Sequence, residues 1–406
     1  MRKFLLTSLA LIIACSMQAQ EKIRVWKEGS GIRFTTSQLE FSEDGTSFSV
    51  ADSTYDIATI DSITVVHTIT VTFDNDTAYV DYGHASNVTD TIRGAHVILE
   101  SNDSINELEF VLQGESTHGS LTYDGPYKCR FYLNGLNLKS DQGAALDIKC
   151  GKRVDLVLNP DTENFLEDAA GGNQKGALHC KGHLEVSGGG SLTVRGNSKH
   201  GIATKEYMEI KKSTGTITID RAVSDAMHIG QYFQMNGGRV HITGQGGEGI
   251  QVETMTIVTE NNDTIPNPDK ENNGLLFIRG GNIYIEATED FAKGIKAPSD
   301  MFVSGGTFEI KAIGDGSKGI SVSGNLTINQ DDNTMVMQLR AQGSVTEDEN
   351  EDDVYCMCAN IKQDLTITSG FVNISNRGAG TRGIQYGGNY YGPGDATVIG
   401  SVTKKK

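Results

Sequence analysis

A short pattern of small and apolar residues recurs along the chain from residue 176 onward. Each copy has a small residue, an apolar residue and then alternating polar and apolar positions, as in Gly249-Ile250-Gln251-Val252. The apolar residues that lead the copies are, in order, Leu178, Ile202, Met227, Ile250, Ile295 and Ile320. They are separated by 24, 25, 23, 45 and 25 residues. This regular spacing predicts an internal structural repeat.

Two further patterns keep the same phase. A glycine-rich one has apolar leads spaced by 25, 23, 43 and 25 residues, namely Leu192, Ile217, Val240, Ile283 and Phe308. Short apolar triplets such as Met208-Glu209-Ile210 lie between the two patterns. Because alternate residues of a strand face opposite sides, the apolar members stack as ladders inside a coil. The sequence therefore predicts an all-β fold, a parallel β-solenoid with three short strands in each coil of about 24 residues.

The step of 45 residues is either two short repeats or one repeat that carries an insertion. The polar stretch from Glu260 to Asn273 favours the insertion. Residues 20–120 have β-rich patterns without the period, which predicts an N-terminal β segment that caps the solenoid of residues 121–400. The acidic run Glu347 to Asp353 predicts a solvated loop near the other end.

Residues 1–19 have the pattern of a signal peptide, with Arg2 and Lys3 ahead of a short apolar stretch. Cleavage before Gln20 is one interpretation, and a lipobox that ends at Cys15 is the alternative, which would leave a lipid anchor. No other apolar run is long enough to span a bilayer. We expect an exported monomer that is secreted, periplasmic or on the outer cell surface.

Five cysteines follow Cys15, and an odd number leaves at least one thiol free. Pairing of Cys150 with Cys129 or with Cys180 is one interpretation, and buried free thiols are the other. Cys356 and Cys358 share one face of a strand, which is a poor geometry for a bridge between them.

The chain has 35 Lys and Arg residues against 52 Asp and Glu, a net charge of −17. A chain this acidic is a poor nucleic-acid binder, since phosphate contacts need a basic surface. The charge is compatible with cations, with neutral sugars, or with a local basic patch on an acidic background.

The segments Gly176 to Val194 (GALHCKGHLEVSGGGSLTV) and His200 to Ile210 (HGIATKEYMEI) resemble a family of secreted carbohydrate-binding domain proteins. The resemblance implies a right-handed parallel β-helix that binds cellulose- and pectin-type polysaccharides and carries calcium. It also implies a fold similar to that of pectate-type polysaccharide lyases. The family often has Asp before its Gly-Ile turn. Only Asp225 fits this position, Glu248 is a near substitute, and Lys293 and Lys318 depart from it.

Stacked carboxylates predict calcium sites. Asp225 and Glu248 precede successive copies of the first pattern, so they lie about 4.8 Å apart on adjacent coils and repel each other unless a cation lies between them. Asp220, Asp290 and Asp315 lie in nearby turns and are further candidate ligands.

Basic and aromatic residues on outward positions are the candidates for contact with sugars. Lys205, Lys293 and Lys318 would hold uronate carboxylates by charge. Tyr207 and Tyr284 would stack on sugar rings.

These features favour an exported, non-catalytic polysaccharide-binding protein, assisted by calcium, with a preference for acidic or plant cell-wall glycans. One alternative is a calcium-dependent polysaccharide lyase in which a lysine is the base. The other is a structural or adhesin-like surface protein.

Overall fold

The computed structural model describes residues 22–405, except for residues 28–29, 36–38, 51–52, 84 and 330–333. The predicted signal peptide and Cys15 of the alternative lipobox lie outside the described residues. Nearly all regular structure in the described residues is strand, arranged in three long ladders that wind into one coil. This arrangement confirms the predicted all-β parallel solenoid.

We call the first ladder sheet 1. It has 13 strands, which pair in parallel except at its N-terminal end, where Val88–Arg93 runs antiparallel to its neighbour. Its strands are Val88–Arg93, His96–Ser101, Ser120–Asp124, Leu146–Ile148, Gly176–Cys180, His200–Thr204, Met227–Ile229, Ile250–Val252, Lys293–Ala297, Lys318–Val322, Met357–Ile361, Arg382–Tyr386 and Val402–Lys404.

The second ladder, sheet 2, consists of Ser62–Asp74, Leu108–Ser116, Cys129–Lys139, Arg153–Leu158, His183–Ser187, Met208–Ile210, Phe233–Met235, Leu276–Ile278, Met301–Val303, Leu326–Ile328, Leu365–Ile367 and Tyr390–Tyr391. The third ladder, sheet 3, begins at the end of the long strand Cys129–Lys139. It continues with Glu163–Glu167, Ser191–Gly196, Thr216–Ala222, Arg239–Ile242, Asn282–Ala287, Thr307–Ala312, Val336–Ala341, Phe371–Asn376 and Thr397–Ile399.

Apolar side chains from the three sheets fill the coil. In sheet 1, Ile202 pairs with Met227, Met227 with Ile250, and Ile250 with Ile295, and all of them are at most 1% exposed. Ile250 and Ile295 are therefore neighbours on consecutive coils, although 45 residues separate them. The extra residues form a hairpin of Thr256–Val258 and Thr264–Pro266, so the long step is one repeat with an insertion.

The N-terminal segment pairs in an antiparallel manner. Its strands are Lys22–Lys27, Ser30–Thr35, Glu40–Phe41, Ser47–Val50 and Ser53–Asp56, and the 3-10 helix Ile57–Thr59 follows them. Lys22–Lys27 pairs with Ser30–Thr35 and with the first strand of sheet 2, whose other end pairs with Thr77–Asp81. Parallel pairing already starts at Ser62–Asp74, ahead of residue 121. The acidic run lies on an exposed hairpin of Thr346–Glu347 and Asp353–Val354.

Charged side chains fix the N-terminal segment to the solenoid. Arg24 and Arg33 contact the buried carboxylate of Glu107, and Arg33 also contacts Glu109. Lys22 Nζ lies 3.3 Å from Glu109 Oε2. Because Glu107 and Glu109 are at most 3% exposed, these basic groups neutralise carboxylates that water does not solvate.

The five described cysteines are free thiols with buried side chains. Between residues 22 and 405, leaving aside the gaps given above, the chain has no helix that is long and apolar enough to cross a bilayer.

Candidate functional site

The outer surface of sheet 1 contains a cavity of about 430 Å³. Its floor follows a row of register neighbours on three adjacent strands, His179, Ala203 and His228. Each of them comes directly after a residue of the core ladder, so strand alternation turns it outward. Because Ala203 places only a methyl group between two imidazoles, the row has a gap in the middle.

Four exposed lysines surround this cavity. Lys175 and Lys199 lie ahead of their strands, and Lys181 and Lys205 come directly after theirs. Among the residues that the structure describes, none of the four forms an ion pair with a carboxylate. Many other lysines of the chain do form one: Lys211, Lys293 and Lys311, for example, each lie within 3.4 Å of a Glu oxygen. The four lysines thus give the cavity an excess of positive charge, since Glu253 is the one carboxylate that lines it among the described residues.

A second cavity, of about 470 Å³, continues the first along the coil axis and shares Lys181 with it. Lys149 and Lys152 line it, and Glu100 and Asp124 lie at its far side. The two cavities cross seven strands of sheet 1, from His96–Ser101 to Ile250–Val252, which is about 29 Å at about 4.8 Å per strand. We call them together the basic groove, with Lys149, Lys152, Lys175, Lys181, Lys199 and Lys205 as its lysines.

Two histidines and one aspartate meet at the wall of the first cavity. Asp225 Oδ2 lies 2.8 Å from His228 Nδ1 and 3.3 Å from His200 Nδ1. The two imidazole rings stack with their centroids 4.2 Å apart. His200 is 2% exposed, and its Nε2 is buried without a hydrogen-bond partner.

Burial sets the protonation of this group. Burial lowers the pKa of His200 to about 4, and the nearby positive charges act in the same direction, so its imidazole is neutral at pH 7. Burial by itself would raise the pKa of Asp225, but hydrogen bonds from His228 and from Glu248 outweigh it and hold that pKa at about 2. The group at pH 7 therefore contains one carboxylate beside a neutral, buried imidazole.

The predicted sugar-binding lysines fall in different places. Lys205 lies in the basic groove. Lys293 and Lys318 are register neighbours further along sheet 1, outside the two cavities. Lys293 Nζ is 3.4 Å from Glu248 Oε1, and burial lowers the pKa of Lys318 to about 8.

The predicted aromatic platforms have their faces covered by other side chains. Tyr207 stacks between His183 and Tyr232, with centroid distances of 4.3 and 4.6 Å. Tyr284 stacks on His241 at 4.6 Å, and Lys311 Nζ lies 4.7 Å from its ring centroid. Both rings pack against side chains of adjacent coils, so only their edges are accessible to a ligand.

The predicted calcium ligands do not come together at one point. Asp220 pairs with Arg195 on sheet 3 through two bonds of 2.8 Å. Asp225 accepts the backbone N–H of Glu248 at 3.0 Å, so these two residues are neighbours, as their spacing predicts. The Glu248 carboxylate also faces Lys293 and Lys296. The Asp290 carboxylate accepts a hydrogen bond from the backbone N–H of Asp315, and the Asp315 carboxylate accepts one from the backbone N–H of Ser344. Each of these carboxylates is thus hydrogen-bonded to the next coil.

The row of His179, Ala203 and His228 is a feature that the sequence interpretation missed. The signal was present, because each of these residues directly follows the apolar lead of its repeat. The repeat pattern does not indicate which lysines lack a carboxylate as ion-pair partner, because that depends on the backbone path of each turn.

The architecture is that of the parallel β-helix proteins. Within this class, the chain belongs to the family of carbohydrate-binding domain-containing proteins, whose sequence model matches residues 93–383. A solved structure, described as the polysaccharide lyase-like protein from C. thermocellum in a gadolinium derivative, is similar in fold. The TM-score is 0.51 at 19% identity, and the match covers 66% of this chain and 99% of that one. No curated protein matches the chain.

Proposed function

We propose that the basic groove binds an acidic polysaccharide and that the protein does not cleave it. The observation that carries this proposal is the set of six exposed groove lysines, none of which forms an ion pair with a carboxylate of the described residues, on a protein whose net charge is −17. Neutral glycans gain nothing from such charges, whereas uronate carboxylates form charge-assisted hydrogen bonds with ammonium groups. A groove of about 29 Å suits a polymer better than a single sugar.

The way in which the lysines are held supports binding without cleavage. A general base needs a fixed position at hydrogen-bond distance from the proton that it removes. The groove lysines are exposed, and no carboxylate among the described residues orients them. They provide charge along the groove rather than one positioned base.

Calcium assistance is a further part of this proposal. Asp290 and Asp315 lie on adjacent coils and each use Oδ1 for a backbone N–H, which leaves Oδ2 for a cation. The Asp225 and Glu248 pair is less suited, because imidazole and ammonium groups surround it. A calcium titration with and without chelator tests this part separately. Calcium-dependent protection against thermal unfolding, lost in Asp290→Ala, would support it.

The experiment for binding compares polygalacturonate with its methyl ester. The two polymers share a backbone, and the ester lacks the charge. We expect retention on the acid form, weaker as salt rises, and little retention on the ester. Lys199→Ala combined with Lys205→Ala should weaken binding about tenfold.

The matched control removes two exposed lysines outside the groove, Lys212 and Lys404. This control variant has the same net charge as the double variant of the groove. An equal loss of binding in both would mean that overall charge, and not the groove, is responsible. Equal retention on both polymers would contradict the acidic preference. Unsaturated products that absorb in the ultraviolet would show a lyase instead.

A further inference from the structure

The group of His200, Asp225 and His228 has a ligand chemistry different from that of a calcium site. These residues come from adjacent coils of sheet 1, and one potential ligand atom from each lies within 4.8 Å of the others. Calcium and magnesium prefer sets of oxygen atoms, whereas imidazole nitrogens suit zinc, copper and nickel. Two nitrogens with one carboxylate oxygen are a frequent set for a small divalent transition-metal ion.

The distances suit such an ion. Ligand atoms around a tetrahedral zinc with bonds of about 2.0–2.1 Å lie about 3.3 Å apart. Asp225 Oδ2 is 3.3 Å from His200 Nδ1 and 2.8 Å from His228 Nδ1. The rings are stacked 19° from parallel, so the half-buried His228 has to rotate to aim its nitrogen at an ion between them.

The contacts of the two imidazoles favour metal binding by their nitrogen atoms. His200 Nδ1 accepts a long hydrogen bond of 3.2 Å from the backbone N–H of Asp225, which identifies it as the unprotonated nitrogen that a metal requires. An ion would replace that bond. His228 Nε2 lies 3.4 Å from Glu253 Oε2, the type of outer contact that orients a metal-bound imidazole.

We propose that His200, Asp225 and His228 bind one divalent transition-metal ion, with zinc as the probe, whose remaining coordination position opens into the basic groove. Both histidines line the first cavity, so the ion has a path from solvent and a position for a carboxylate or hydroxyl oxygen. This site shares no residue with the calcium site proposed at Asp290 and Asp315, and it assigns Asp225, a predicted calcium ligand, to a different metal. It does not depend on the proposed glycan binding.

The test titrates zinc chloride into chelator-treated, full-length exported protein and measures the heat of binding. We expect one equivalent of zinc per chain, and any heat from calcium chloride should be the same for the native chain and for His228→Ala. His228→Ala should weaken zinc binding at least tenfold, and His200→Ala likewise. His241→Ala is the control, because His241 stacks on Tyr284 away from this group and its loss should leave zinc binding unchanged.

His200 is buried, and His200→Ala can fail to fold. The decisive variant is therefore His228→Ala, whose folding is checked by circular dichroism. Cobalt in place of zinc gives a second measurement, since visible absorption bands of a four-coordinate ion should appear with the native chain and vanish with His228→Ala. Absence of zinc binding to the native chain, or zinc binding that survives His228→Ala, would overturn the proposal. Calcium binding of equal strength that is lost in His228→Ala would overturn the metal preference. Retention of the zinc-free protein on polygalacturonate separates this result from the groove proposal.

Discussion

Lysine side chains meet three environments in this molecule. Those of the basic groove are exposed and lack carboxylate partners among the described residues, and others, such as Lys211, lie between two glutamates. Lys318 belongs to neither set. Burial, together with the positive charges of Lys293 and Lys405, lowers its pKa to about 8. Its charge at neutral pH is therefore a cost to the folded state rather than a contribution to binding.

Replacement of Lys318 by Met should stabilise the protein at pH 7. The folded pKa lies below the unfolded value of 10.5, so the cost is fully present below about pH 8 and disappears as the pH rises to about 10.5. The full shift corresponds to about 3 kcal/mol, and the residual exposure of the side chain reduces the expected gain to about 1–2 kcal/mol.

Chemical denaturation at pH 7 and at pH 10.5 measures this gain. Lys212→Met, at an exposed position, should change stability little at either pH. A gain for Lys318→Met that is the same at both pH values would show that packing, and not the charge, is responsible.

At the scale of the strand and its turns, glycine occupies tight turns that connect a strand of one sheet to a strand of the next. Gly281 is the second residue of a Gly-Gly pair that leads into the strand Asn282–Ala287 of sheet 3. Its φ is +95°, and a Cβ built there would lie 2.7 Å from the carbonyl oxygen of Gly238 on the preceding coil. Both the backbone conformation and the spacing of the coils exclude a side chain.

Gly281→Ala should therefore lower the free energy of unfolding by about 2–3 kcal/mol. Gly189→Ala is the matched control, because φ at Gly189 is ordinary and nothing lies within 4 Å of a Cβ there. Thermal unfolding followed by circular dichroism compares the two variants. Similar melting temperatures for both would contradict the role of coil spacing.

Much of this element structure could be predicted from the sequence. Each apolar lead pairs with the next, so Leu178, Ile202 and Met227 stack as their spacing indicates. The basic groove was harder to predict from the sequence. It depends on a small residue, Ala203, between two imidazoles, and on turns that keep the lysines out of ion-pair distance of carboxylates. Ion pairs such as Arg195 with Asp220 depend on side-chain reach across coils, which strand periodicity does not encode.

At the scale of the whole molecule, the N-terminal segment has a core of its own, formed by Ile23, Val25, Phe34 and Phe48. The solenoid core is a separate cluster. Buried ion pairs to Glu107 and Glu109 connect the two parts. Loss of one partner would leave Arg24, which is 4% exposed, as an uncompensated buried charge.

Glu107→Gln should loosen the N-terminal segment, with a cost of about 3–5 kcal/mol, and leave the solenoid folded. Limited trypsin digestion followed by mass spectrometry should then show early cuts at Lys22, Arg24, Lys27 and Arg33. Glu115→Gln, at an exposed position of the strand Leu108–Ser116 that follows Glu107, should digest like the native chain. Simultaneous digestion of the solenoid would show that the segment is indispensable to the whole fold.

The two ends of the basic groove are chemically different, because successive coils carry different side chains. One end has Glu100 and Asp124, and the other has the histidine group and Glu253. A polysaccharide also has two different ends, the reducing and the non-reducing one. In the proposed complex, a polymer laid along the groove would therefore meet different partners in its two orientations, so binding should depend on the direction of a chain as well as on its charge.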